Sequence, residues 1–514
     1  MNMGYRELSF NLPPDYQEGD LRDAIAKELG IGTFSWQIAH KSLDARRKSD
    51  IHWLVQVSVL SEEITGGETP ASSELVIPSH ARKEKAVVVG SGPAGFFAAL
   101  VLQKAGFRTT LIERGAEVQK RAEGIKTFEQ TGCFDPVSNY AFGEGGAGTF
   151  SDGKLTSRSK HISKEKRFII ESYIRAGAPQ EIRYLAHPHL GSDNLKIIVA
   201  NLRREFLDLG GCVLFETLLE DIRIKERRVT EAVTSAGEIE TDYLVIAPGH
   251  SAYETYRMLI GRGVGFRAKP FALGSRVEHL QELINLAQWG REKLPGVKAA
   301  EYRLTSRGDG SLPVYTFCMC PGGVVVPATA YAHTNIVNGM SRYRRDGIFA
   351  NAACVAGVKP EDLAGREVSA LEILDLLEAL EEKFFCFSEG FAAPFCTIAD
   401  FIEGKESGAI RASSYPLGLK LAPLWEMLPP RVSGALREGL KDFARKTRGF
   451  ETGSIMGLES KTSSPVQVVR DTCGRCSGFE NLYVVGEGSG WAGGIISSGA
   501  DGIRTAMSIA ETVP

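Results

Sequence analysis

Cysteine is sparse in this chain, with nine in 514 residues. So few, in an odd number, give no disulfide framework, and reduced thiols are expected. An excess of either charge is also missing. Sixty Lys and Arg stand against 63 Asp and Glu, a net charge of -3 with pI ≈ 6.4, which excludes a global basic field that would recruit nucleic acid or anionic membrane. Long apolar runs are absent too: the longest, Ala86 to Leu102, is cut by Gly90-Ser91-Gly92-Pro93 and by Gly95, which suits strand, turn and helix rather than a membrane span. The opening MNMGYRELSFNLPP lacks the basic start and apolar core of an export signal, so a cytoplasmic location is expected. Hydrophobic residues at 43% and charged residues at 24% allow a large buried core, and the length predicts roughly two to four domains.

Glycine is abundant instead, at 56 residues, and its placement carries chemistry. Ala86-Val87-Val88-Val89 leads into Gly90-Ser91-Gly92-Pro93-Ala94-Gly95. An apolar run from Phe96 to Lys104 follows, and a β-rich run, Thr109 to Ile112, ends on Glu113 and Arg114. That order predicts a dinucleotide-binding βαβ unit. Gly90 would give the tight turn, Gly92 the close approach of a pyrophosphate, and Gly95 the close packing of helix on strand. Glu113, 23 positions after Gly90, would accept hydrogen bonds from the hydroxyls of an adenosine ribose. NAD and FAD both satisfy this fingerprint, and the far end of the chain chooses between them. Tyr483-Val484-Val485-Gly486-Glu487 reads as a strand ending in an acidic residue, and Gly493-Gly494-Ile495 opens a final helix. Such an element is expected to hold a ribityl chain and to aim a helix N-terminus at the flavin edge that becomes negative on reduction. Leu244 to Gly249, including Ala247 and Pro248, has the form of a further strand and turn beside the cofactor. FAD is therefore the expected cofactor. It is expected to be noncovalent, since no His or Cys adjoins the first glycine turn.

Around these motifs the chain divides into four stretches. Residues 1–82 alternate strand-like and helix-like runs (Tyr5 to Leu12, Leu21 to Leu29, His52 to Leu60) and read as a small α+β domain. It ends in a linker-like segment, Ser61 to Lys85, which contains Gly66-Gly67, Thr69-Pro70 and Ile77-Pro78. Residues 83–255 are expected to be the first part of an α/β, Rossmann-type FAD-binding domain with an insertion at about 116–190. Within it Asn194 to Leu209 is helical in pattern, while Cys212 to Phe215, Leu219 to Lys225 and Arg228 to Ser235 read as strands of one meander. Residues 256–460 read as an α+β substrate domain that interrupts the FAD domain, and 461–514 as its second part.

Several longer segments fit one pattern together: SLDARRKSDIHW with Arg46 and Arg47, the GSGPAG turn with Glu113-Arg114-Gly115, and FGEGGAGTFSDGKL at Phe142 to Leu155. Pro188 to Gly191, Gly249 to Ala252, Tyr315 to Gly323 and Gly486 to Ile495 complete the set. In these the chain resembles a family of poorly characterised bacterial FAD-dependent dehydrogenases, distant relatives of flavoprotein oxidoreductases whose substrate domain interrupts the FAD domain. The resemblance runs from the N-terminal domain to the last helix. It implies FAD and redox chemistry, and no particular substrate.

In the segment Gly143 to Lys154, glycines including Gly146 surround Asp152 and Lys154, as suits a loop wrapped around a ligand. Lys154 would stabilise a reduced anionic flavin, orient a substrate carboxylate, or stand solvated. His189 and His250 are candidate proton donors. Cys318 and Cys320, two apart on a strand, would point the same way, toward a pocket wall or into the core, and Cys320 is the candidate catalytic thiol. His187-Pro188-His189 lacks the Cys or Asp neighbours of a zinc site, so no metal is expected. Cys473-Gly474-Arg475-Cys476 is a CxxC without the βαβ context of a redox motif. The expected function is an FAD-dependent oxidoreductase passing a hydride between flavin and a small organic substrate, with NAD(P)H or a protein as electron partner and neither membrane nor nucleic acid involved. Two readings compete: a flavin-bound RNA- or protein-interacting protein using Arg46-Arg47-Lys48, and an NAD enzyme without flavin.

Overall fold

A computed structural model of the chain describes residues 3–68, 74–308, 310–408 and 411–512. Thr69-Pro70 of the expected linker lies outside the described residues. Alternating apolar residues build the first unit: β1 (Gly4–Leu12) pairs antiparallel with β3 (His52–Ser61), whose Val55, Val57 and Val59 are buried beneath Leu21 and Ile25 of α1 (Glu18–Leu29). A strand the sequence pattern did not reveal, β2 (Ser35–Asp44), pairs with the other edge of β3. Its residues are all exposed or half-buried, with none fully buried, so its sequence carries too little apolar contrast. Arg46, Arg47 and Lys48 lie exposed in the β2–β3 turn, and Arg46 is paired with Asp44.

The βαβ unit forms as its sequence predicts: β4 (Lys85–Val89), α2 (Pro93–Lys104) and β5 (Arg108–Ile112). Helix α2 is apolar on nearly every side because it lies between the sheet and the last helix, Gly494–Thr512. That packing needs a missing side chain, since a Cβ on Gly502 would stand 2.0 Å from the Ala94 carbonyl oxygen. Phe97, Leu100 and Val101 are buried there, each stabilising the fold by about 1.5–3 kcal/mol. The crossover from β5 carries α3 (Val118–Thr131), α4 (Ser163–Arg175) and α5 (Gly191–Asp208), then enters β6 (Cys212–Leu214). One expectation is corrected here. Residues 212 to 214 pair in parallel with β5 and do not join the meander, because α5 returns the chain to the sheet edge in the right-handed βαβ sense. The meander is β7 (Leu219–Lys225), β8 (Arg228–Thr234) and β9 (Gly237–Glu240), after which β10 (Tyr243–Ile246) re-enters beside β4. The strand Leu482–Val484 adds at the outer edge of β10, giving a five-stranded, all-parallel Rossmann-type sheet.

Between β10 and that late strand lies the second large unit. A short antiparallel pair, Phe266–Ala268 with Val466–Val468, forms its neck. Beyond it is a seven-stranded sheet centred on Phe271–Leu280, Phe349–Val358 and Ser454–Glu459, with the helices Ala370–Ser388 and Pro430–Lys446 contributing to its core. Phe271–Leu280 is buried along almost its whole length, so it shows no alternation that a sequence reading could use. Among the described residues no helix is long and apolar enough to cross a membrane.

Candidate functional site

The glycine turn is shaped by what its residues touch. Gly90 has φ +92, and a Cβ there would stand 2.2 Å from the Ala247 carbonyl oxygen, while one on Gly95 would stand 1.8 Å from that of Gly90. Gly92 approaches Gly146 of the second glycine loop so closely that a Cβ on Gly146 would lie 2.9 Å from the Gly92 Cα. Glu113 ties these pieces together. Its carboxylate accepts hydrogen bonds from Ser91 N (2.8 Å), Ser91 Oγ (2.8 Å), Gly115 N (2.9 Å) and Gly143 N (3.1 Å). Glu113, expected to meet a ribose, thus fixes the glycine turn against the second loop. Arg114 lies over the Phe142 ring at 3.7 Å and pairs with Glu254.

Sequence reasoning missed Arg121, which is fully buried and donates to the carbonyls of Asn139 (2.8 Å), Tyr140 (3.0 Å), Glu144 (2.9 Å) and Gly146 (2.8 Å). Burial pulls its pKa down to about 10. The only sequence signal was a basic residue on the inner face of an amphipathic helix.

One cleft, about 2140 Å³ in volume, joins Gly90, Gly92, Pro93, Ala94, Glu113 and Arg114 to Gly146 and to the far end of the chain. Beside the glycine turns it is also lined by Ala247, Gly249 and Glu487, then by Gly493, Gly494 and Ile495 where the last helix begins. Gly486, with φ +75, packs against α2, and a Cβ there would stand 2.5 Å from that of Ala94. His250 lines the cleft there, its Nδ1 3.4 Å from Glu487 and its Nε2 buried without a hydrogen-bond partner among the described residues.

Another wall is a charged cluster. Asp152 is wholly buried and takes a two-pronged contact from Arg345, at 2.6 and 3.0 Å, with further bonds from Lys154 and the Ser341 hydroxyl. Burial would raise the Asp152 pKa, but Lys154 and Arg345 outweigh it and hold the carboxyl far below its usual range. Lys154 stays charged because Asp152 and Glu301 overcome its own desolvation. It lines the cleft and is not a solvated loop lysine.

His189, bridged to Lys154 through the backbone, donates from Nε2 to the Tyr343 carbonyl (3.0 Å). Burial and the nearby Arg345 push its pKa down to about 4. As a proton donor near neutral pH it is therefore corrected: the ring is uncharged and its one N–H is already used. Cys320 is fully buried and does not itself line the cleft, whereas Cys318 does. Cys476 of the CxxC is buried, which raises its thiol to about 12, while Cys473 is exposed.

These histidines give a pH dependence with a definite sign. His189 and the buried His279 both fall from 6.5 to about 4 on folding, chiefly through burial. The unfolded chain therefore binds protons that the folded chain refuses, and stability is lost as pH falls from 6.5 toward 4. The expected loss is about 3 kcal/mol per histidine. Urea unfolding across that range measures it, and His279→Gln should lose less stability on acidification than the parent.

The donor set suits FAD. Two glycine loops form a backbone cradle, the last helix begins beside them, the buried His250 Nε2 has no hydrogen-bond partner among the described residues, and the cleft exceeds the roughly 300–1,000 Å³ of common ligand sites. The matching family models agree. A family model described as FAD binding domain matches residues 83–163, one described as FAD-dependent protein, C-terminal domain-like, matches 270–462, and a domain of unknown function matches 5–60. An uncharacterized protein of Clostridium beijerinckii is 38% identical over 531 aligned residues, covering 99% of both chains. Similar solved structures include CtdE in complex with FAD and substrate 4 (TM-score 0.37, 10% identity, 84% of this chain and 80% of that one). Glycine oxidase from Bacillus cereus is another (TM-score 0.33, 11% identity, 84% and 95%). With two FAD-protein models on the chain, the reading of an NAD enzyme without flavin is set aside.

Proposed function

The chain belongs to a poorly characterised family of FAD-dependent proteins, and we propose that it is a cytoplasmic oxidoreductase that moves a hydride between flavin and a small organic anion. The observation that carries this reading is the composition of the cleft. Twelve Lys and Arg side chains line it against five carboxylates, in a chain whose net charge is -3. Such a wall attracts anions and raises their local concentration. FAD, when bound, supplies the two-electron chemistry. The protein's part is binding and electrostatics: the two glycine loops and Glu113 hold the nucleotide end, and the start of the last helix presents its positive pole to the cleft. Lys154, kept charged by Asp152, favours negative charge wherever it develops nearby.

Denaturation should release FAD intact, and small carboxylates such as amino and hydroxy acids should bleach the flavin absorbance under anaerobic conditions, NAD(P)H being tried in the same screen. A cleft whose flavin responds only to uncharged reductants would defeat the anionic-substrate reading. Lys154→Met should lower the flavin reduction potential and slow reduction more than it weakens FAD binding, because a cation stabilises the reduced anion more than the neutral oxidised ring. Spectroelectrochemistry beside an FAD titration separates the two effects.

A further inference from the structure

The strand Val314–Cys320 carries a fault at a position where sulfur meets the cleft. Its pairing with Phe349–Val358 is regular as far as Phe317 and shifts register before Cys320. At the bulge Cys318 takes φ +44, a left-handed conformation that costs a non-glycine residue energy and persists only where the surroundings enforce it. Two cations enforce it. Arg276, fully buried, donates to the Cys318 carbonyl (2.8 Å) and has an Nη2 3.9 Å from the Cys320 sulfur, while Lys154 donates to the Met319 carbonyl. The Cys318 side chain consequently lines the cleft, and Cys320 lies buried beside it with its thiol 3.4 Å from the Cys318 carbonyl oxygen.

The Cys320 thiol donates to the Cys318 carbonyl (3.4 Å), which holds the two residues together. The neighbouring Cys320, with Lys154 and Arg276 behind it, draws the Cys318 thiol below its ordinary value against burial and against Asp152, while Cys320 is pushed up by Cys318 and by burial. A half-buried, cleft-lining cysteine with its thiol pKa drawn down, beside a second, buried cysteine with its pKa pushed up, is the arrangement of an attacking and a resolving cysteine.

We propose that Cys318 and Cys320 are a redox-active dithiol that exchanges with small aliphatic disulfides entering the cleft. The Cys318 thiolate attacks one sulfur of R–S–S–R, that S–S bond breaks, RS⁻ leaves, and a Cys318 mixed disulfide forms. Cys320 then gives up its proton and attacks the Cys318 sulfur, so that a Cys318–Cys320 bond forms and the second RS group leaves. Two electrons pass from the cysteine pair to the substrate disulfide, which departs as one thiol and one thiolate. This activity goes beyond the flavin reading and does not depend on it.

The test uses the purified holoprotein under anaerobic conditions with oxidised glutathione as the probe. Tryptic cleavage places Cys318 and Cys320, and no other cysteine, in residues 308–342. That peptide should lose two hydrogens, regain them with dithiothreitol, and do so before the exposed Cys133, Cys212, Cys386 and Cys473 acquire glutathione. Cys320→Ser should instead trap one glutathione on Cys318, and Cys318→Ser should leave Cys320 unmodified. If Cys320→Ser does not fold, the parent peptide still decides. A 308–342 peptide that stays fully reduced while the exposed cysteines are modified overturns the proposal, as does a folded Cys320→Ser protein with no adduct on Cys318. Flavin reduction by carboxylates is unaffected by either result, so the two readings fail separately.

Discussion

Replacing Asp152 by alanine should lower the stability of the protein by about 3–5 kcal/mol, the cost of leaving buried charge without its counter-ion. The carboxylate is wholly buried and is the shared partner of Lys154 on its own loop and Arg345 beyond the neck, so its loss strands two cations at once. Arg345 keeps Glu301 and Lys154 keeps partial access to solvent, which sets the expectation toward the lower end of that range. The effect has a pH signature. Because the folded pKa is depressed below the ordinary carboxylate range, Asp152 contributes its full stabilisation above about pH 4, and the contribution drains away as pH falls below that value. Urea unfolding of parent and variant should therefore differ most near neutral pH and converge in acid. A difference under about 1 kcal/mol near neutral pH, the range of an exposed ion pair, would mean that Asp152 is solvated.

Glu113→Ala should raise the FAD dissociation constant by about 10- to 150-fold, the equivalent of about 1.5–3 kcal/mol for a charge-assisted hydrogen bond. The structure adds a second consequence. Ser91 N, Gly115 N and Gly143 N all donate to this carboxylate inside the protein, and stranded buried donors cost about 1–3 kcal/mol each. The apoprotein should therefore lose stability as well, and saturating FAD should restore it only in part. Calorimetric titration gives the affinity, and unfolding of the apo forms gives the structural share. Full recovery by FAD would mean that the turn keeps its shape without Glu113. An affinity changed by less than about twofold, far below the loss of one charged hydrogen bond, would mean that FAD does not depend on this residue.

Some of this was fixed by short-range pattern. The order of residues 85 to 113 specifies strand, turn and helix because each glycine answers a local demand: Gly90 a positive φ, Gly95 the closeness of helix to strand. The late strand and helix at 482–512 were legible for the same reason, and with them the FAD assignment. Strands whose burial does not alternate were not legible, as with β2 in the first sheet and Phe271–Leu280 in the second. Nor was β6, where three residues cannot say which edge they join. The charged core of the site was the least visible part. Asp152 and Lys154 stand two apart in sequence, but Arg345 reaches them from 193 positions away, and Arg276 meets Cys318 across 42. Whether a lysine is solvated or held, or a histidine charged or neutral, depends on the desolvation and counter-charges that such distant contacts supply. The bulge that turns Cys318 to the cleft and buries Cys320 arises from a register shift against Phe349–Val358. Alternation alone puts both sulfurs on one face, and only the pairing of two distant strands separates them.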